Sequence, residues 1–256
     1  MEELNSILNA YRRKLSKKGY LSDGEIENLH SVFPFNKFEY IISHLLAFNS
    51  LSLDDYLKIR EDYLARNKYL YLFELAPRTF GETWGQQHIG ELVQELERPS
   101  KAKDPHYDGE YDFWYNGIKI EVKASRGVDR DLNELPPVEK ALSSNSTKRF
   151  NMNFQQLKPR CCDVFVWFAV WKDKIVYWVM KNDEVATHPD YRAGQHRGNV
   201  GEGQLWITER NIKSFDKYLA QPRDILSKII EKHNLPPIAD RIKLSVEETL
   251  NDNVKK

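Results

Sequence analysis

The stretch Tyr111–Ser125, YDFWYNGIKIEVKAS, decides how this chain is read. Asn116-Gly117 is the strongest short hairpin signal, because a type I′ turn needs φ > 0 at both central residues. With that dipeptide as the two-residue loop, Tyr115 faces Ile118, and counting back pair by pair sets Asp112 opposite Glu121. Strand side chains alternate, so Glu121 and Lys123 share one face while Ile118, Ile120, Val122 and Ala124 share the other. Directly opposed positions stand about 4.5–5.5 Å apart at Cβ, where like charges destabilise the pairing. A positive group is therefore expected between the two carboxylates, and a divalent metal is the economical choice. Asp108 has the strand parity of Asp112 and is the fallback ligand if the register slips.

Around the hairpin the chain has the composition of a folded protein. Its 256 residues suit one domain, or a core with a smaller appendage. The 38 basic and 38 acidic residues cancel, which argues against a general polyanion-binding tail but leaves room for a basic groove beside an acidic site. The two cysteines, Cys161 and Cys162, are adjacent; they fit neither a zinc spacing nor a disulfide framework and read as buried small hydrophobes. The charged start MEELNSILNAYRRKLSKK is no signal peptide, and no apolar run reaches the ~18 residues of a membrane span. Mean hydropathy of -0.65 agrees, so a reducing cytoplasm and no membrane partner are expected.

Outward from the hairpin, residues up to about Leu75 read as helical. Ile7, Leu8, Tyr11 and Leu15 recur at helical spacing, and Ser22 with Glu25 and Ser52 with Asp55 resemble capping boxes. Residues 1–78 are set down as an N-terminal helical region that binds DNA, pairs subunits or covers the sheet, and 79–256 as the core. Ile89, Leu92, Val93 and Leu96 predict a helix over Phe80–Glu97 that Pro99 ends. Arg126–Arg149 is long, polar and irregular, as functional or disordered segments are. Asn153–Leu157 reads as a short helix. Asp163–Trp171, DVFVWFAVW, reads as a buried strand that turns at Lys172-Asp173-Lys174 and returns over Ile175–Met180. A glycine-rich polar segment, His188–Gln204, precedes a short strand Leu205–Thr208, and a terminal helix follows Pro222.

Asp112, a short spacer, then Glu121-Val122-Lys123 on the next strand resembles the PD-(D/E)XK nuclease core, although Tyr111 stands where the motif name has proline. The stretches LYLFELAPRTFGETWG and QHRGNVGEGQLWIT also resemble bacterial type II restriction endonucleases. The resemblance implies an α/β (α+β) fold with a central mixed β-sheet flanked by helices. It implies a Mg²⁺-dependent double-stranded DNA endonuclease that leaves 5′-phosphate ends, with Mn²⁺ able to substitute. Asp112 and Glu121 are then metal ligands, joined by the Val122 carbonyl, and Lys123 holds the attacking water and steadies developing negative charge. A glutamate on the preceding helix reaches such sites in the family. Glu82 lies toward the apolar stripe and is preferred to Glu91, which points away. Family helices after the metal strand often carry a supporting glutamine, here Gln155 or Gln156.

Donors for DNA concentrate in three places: Arg126; the run Asn145, Ser146, Thr147, Lys148, Arg149; and the loop residues Gln195, His196, Arg197, Asn199 with Gln204. Cutting both strands with one site per chain implies a homodimer. A restriction enzyme further implies a methyltransferase acting on the same site. A shape-directed repair, recombination or phage-defence nuclease and a non-catalytic DNA-binding relative remain the alternatives.

Overall fold

Strand pairing begins where the sequence placed it. In the computed structural model, which describes residues 2–19, 22, 32–194 and 202–241, β1 (Phe113–Tyr115) and β2 (Ile118–Arg126) form an antiparallel hairpin with Tyr115 opposite Ile118 and Phe113 opposite Ile120. Asn116 and Gly117 have φ of 45° and 93°, the double positive that a type I′ turn demands. Ile118, Ile120 and Val122 are buried, while Glu121 and Lys123 point to the other face.

The remaining strands are β3 (Val128–Asp129), β4 (Phe150–Leu157), β5 (Val164–Val170), β6 (Ile175–Lys181), β7 (Tyr191–Ala193), β8 (Gly203–Thr208) and β9 (Leu219–Ala220). Among the described residues they make two sheets: a mixed sheet in the order β1-β2-β5-β6-β9, and an antiparallel sheet in the order β3-β4-β8-β7. Among the described residues only the β2–β5 pairing is parallel, Glu121 lying beside Phe165 and Lys123 beside Trp167.

Two apolar cores follow from that stacking. Ile120, Val122, Val166 and Phe168 pack on Phe80, Ile89, Ile225 and Ile229 from helical segments, while Phe165, Trp167 and Trp178 pack on Phe154, Leu205 and Ile207 of the second sheet. β5 is buried along its whole length because it lies between both layers, which is why its sequence is continuously apolar. The chain is thus a mixed α/β protein with helices against one face of a mixed sheet and a second sheet against the other.

Three sequence expectations require correction. The segment FNMNFQQL, whose end read as a helix, is β4. Phe150, Met152 and Phe154 alternate into the core while Asn151 and Asn153 do not, a period of two that a window starting at Asn153 hides. The helix expected over Phe80–Glu97 is a π-helical turn, Thr79–Gly85, running into a short α-helix, Gln86–Leu92. It ends early because Glu97 exchanges both backbone hydrogen bonds with Trp114 at 3.0 and 2.8 Å, which draws the chain alongside β1. The long segment after β2 is built in: Val128 bridges Ala141, Leu142 is buried, and Asp173 accepts from the Ser144 N–H at 2.7 Å and hydroxyl at 2.8 Å.

The chain divides into two units, Met1–Tyr63 and Leu64–Lys256, so residues 64–78 belong with the second. In the first unit, helices span Glu2–Lys17 and Glu39–Ala47, and another opens at Leu53. Ser52 caps the last as read: its hydroxyl oxygen accepts the Asp55 N–H at 3.1 Å. The capping box expected at Ser22 and Glu25 lies outside the described residues. Among the described residues, no helix is long and apolar enough to cross a membrane.

A buried ion network ties the helix Ile225–Asn234 to the end of β6. Glu184 accepts from Lys232 Nζ at 2.9 Å, from Arg241 at 3.1 Å and from the Lys181 N–H at 2.8 Å. Burial works to raise its pKa, but these three donors outweigh it and hold the carboxyl below its usual value. That contribution to stability is present above the ordinary glutamate pKa and is lost as pH falls through the depressed one. Glu184→Ala leaves the Lys232 ammonium buried without its carboxylate and is expected to destabilise the fold by about 3–5 kcal/mol. Urea titration at neutral pH checks this, and a change under about 1 kcal/mol would contradict it.

Candidate active site

The hairpin brings Asp112, Glu121 and Lys123 together. Asp112 precedes β1 and continues its pairing: its N–H donates to the Ile120 carbonyl at 3.0 Å, and its Oδ2 accepts the Val122 N–H at 2.8 Å. The side chain thus takes a donor on the neighbouring strand, which aims the carboxylate across β2 at Glu121. The two carboxyl groups lie within hydrogen-bonding reach of each other. Lys123, two residues along on the same face, donates from Nζ to Glu121 Oε1 at 2.6 Å.

The electrostatics of this trio are strained. Burial pushes the Asp112 carboxyl up, against the Val122 N–H and the Lys123 charge. Burial likewise raises Glu121 to about 7, with Lys123 opposing and Asp112 adding to the rise. Two acids held this closely in a partly desolvated site resist joint ionisation unless more positive charge arrives than one lysine supplies. The donors are hard oxygens. Among the described residues there is no group of three or more His, Cys, Asp or Glu placed to hold a metal ion. A pair of carboxylates nevertheless suits Mg²⁺, which keeps several waters and takes few protein ligands. The residues present fit that ion.

Helix residues behind the pair depart from expectation. Glu82, preferred on angular grounds, lines the cleft but pairs with Arg78 at 2.6 Å in an exposed i,i+4 bridge. Glu91 accepts from Gln87 at 2.8 Å on the solvent side. The side chain that reaches the pair is Gln86, whose Nε2 donates to Asp112 Oδ1 at 2.5 Å. Its other end, Oε1, accepts from Arg98 Nη1 at 2.7 Å, and the Arg98 guanidinium lies 4.6 Å over the Phe113 ring. Gln86 follows Glu82 by four residues on the same helical face. The site is thus reached from the same helical face, one turn further along.

The trio opens onto a cleft of about 1330 Å³. One wall carries Asp112, Glu121, Lys123 and Ser125, another Arg78, Glu82 and Gln86, and a third Asn151, Asn153, Gln155, Gln156 and Trp206 from the second sheet. Gln155 therefore lines the same cleft as Lys123, from a strand instead of the expected helix. The buried Val122 side chain belongs to the core, and its N–H is engaged by Asp112.

The expected DNA donors fall in different places. Arg126 lines the cleft, but its guanidinium donates to the Leu75 carbonyl at 2.7 Å and stacks 4.1 Å over Phe80; burial lowers its pKa to about 10. Asn145, Ser146 and Thr147 are outside the cleft lining. Lys148 pairs with Asp129 at 2.8 Å, and Arg149 pairs with Asp131. Gln204 sits on β8 opposite Arg192. Gln195, His196, Arg197 and Asn199 lie outside the described residues. The fallback Asp108 is exposed, consistent with a register that has not slipped.

Neither protein-family models nor the sequences of curated proteins return a match to this chain.

Proposed function

We propose that this chain is a Mg²⁺-dependent endonuclease of double-stranded DNA, of the restriction-endonuclease type, hydrolysing phosphodiester bonds to leave 5′-phosphate ends. The observation that carries the reading is the partly buried Asp112–Glu121 carboxyl pair with Lys123 2.6 Å from Glu121, all on one cleft wall. A binding module has no use for two opposed acids that its own fold must desolvate.

Asp112 and Glu121 would hold the cation, with the Val122 carbonyl joining as the family resemblance implies. A bound Mg²⁺ supplies water activation and neutralises charge on the phosphate. The protein's own work is positional. Gln86 and the Val122 N–H each fix one oxygen of Asp112, so its carboxylate cannot swing away. Lys123 is placed to orient an attacking water and to stabilise negative charge growing on the phosphoryl oxygens. One such centre per chain cuts one strand, so a homodimer on a two-fold symmetric sequence is the arrangement that cuts both. The companion methyltransferase belongs to the same proposal.

Supercoiled plasmid incubated with the protein, with and without Mg²⁺ or Mn²⁺, tests the reading. Cleavage only with the metal, at discrete positions and with 5′-phosphate ends, supports it; intact plasmid and intact bacterial genomic DNA at all metal concentrations overturn it. A continuous smear would favour shape-directed cutting over sequence recognition. Gln86→Ala is expected to raise the Mg²⁺ concentration for half-maximal rate by about 10–100-fold, the usual cost of losing a ligand's support. An unchanged metal requirement would remove Gln86 from that role.

A further inference from the structure

Four of the six residues Asn151–Gln156 carry carboxamides, and all four line the cleft. A β-bulge puts the last two side by side. Phe154 pairs with Leu205 and Leu157 with Gly203, so β4 holds one residue more than β8 over this step, and Gln156 takes φ of 54°. The bulge returns Leu157 to the core, where it is fully buried, and leaves both Gln155 and Gln156 exposed. Asn153 adds a second observation: its Oδ1 is buried with no hydrogen-bond partner. Trp206, opposite Asn153 in the register and 39% exposed, stands beside it in the cleft.

Resting on the nuclease reading above, we infer that the β4 amide row Asn151, Asn153 and Gln155, with Trp206, is the base-reading surface, and that it recognises A·T pairs in the major groove. Amide N–H groups can donate to phosphate oxygens, but phosphates only accept, so the amide's own acceptor oxygen finds a partner only on a base edge. A carboxamide presents one donor and one acceptor in a fork, the complement of adenine N6 and N7, while an indole suits the thymine methyl. Spacing agrees: alternate strand residues lie about 6.8 Å apart, which is two base steps of roughly 3.4 Å. The wall that carries these amides faces the same cleft as the carboxyl pair, so reading and cutting share one bound duplex.

The test is selection of randomised duplex DNA by the full-length protein in Ca²⁺, with the bound fraction sequenced. The wild type is expected to enrich a motif containing A·T pairs. Asn153→Ala should lose about tenfold or more discrimination at one of them, and Gln155→Ala at another. Gln155 is exposed on the bulge, so its variant decides the matter even if Asn153→Ala does not fold. Replacing each motif adenine by 7-deazaadenine should weaken wild-type binding by about tenfold at a read position, with no variant needed. The same motif from wild type and both variants, a motif of G·C pairs alone, or no enrichment at all overturns the inference. Cleavage is scored separately. A motif read through these amides by a protein that never cuts sinks the nuclease reading and supports the base-reading one; cutting without a motif does the reverse.

Discussion

The Asp112→Ala protein is expected to bind duplex DNA in Ca²⁺ with near wild-type affinity and to leave plasmid uncut in Mg²⁺. The loss should exceed the roughly 10²–10³ that one transition-state hydrogen bond costs, because a ligand and the charge it brings disappear together. Glu121→Ala should behave the same way. A second readout separates a catalytic defect from a folding one. Without metal, the native fold keeps two partly buried carboxyls close together, so Glu121→Gln is expected to raise the melting temperature while abolishing cutting. Ca²⁺ or Mg²⁺ should raise the melting temperature of the wild type and not that of Glu121→Gln. Cleavage within about tenfold of wild type in either alanine variant would remove the pair from the reaction.

Lys123→Ala is expected to lower the turnover rate by about 10²–10³ while KM and Ca²⁺-dependent binding stay near wild type, the pattern of an interaction made only in the transition state. The fold should survive. Its side chain is partly exposed at the cleft and belongs to neither core, and Glu121 can take up a proton once its partner is gone. Lys123→Arg is not expected to restore the rate, because a planar fork on a longer stem presents its donors differently from a compact ammonium. Single-turnover rates of the three proteins on one oligonucleotide check this, and normal turnover by the alanine variant would contradict the role given to Lys123.

How much of this was legible in the sequence depended on the range of the forces involved. The hairpin could be read because Asn116-Gly117 fixes the turn and the alternation from Ile118 fixes the faces, both local effects. β5 could be read because a strand buried on both sides must be apolar throughout. The strand β4 was hidden by its amides: Asn is a poor strand former, and only the alternation from Phe150 reveals it. Gln86 was hidden for a different reason. Its partner lies 26 residues away, and the choice between one helical turn and the next depends on where the helix docks. The commitment of Arg126 to backbone carbonyls of Phe73 and Leu75 is likewise a tertiary event without a local signature.

The most direct test is diffraction from crystals grown with duplex DNA and soaked in Mn²⁺, recorded for the anomalous signal. An ion coordinated by carboxylate oxygens of both Asp112 and Glu121, with Lys123 turned toward the scissile phosphate, is the predicted result. Anomalous density elsewhere only, with no ion between the two carboxyl groups, would contradict it.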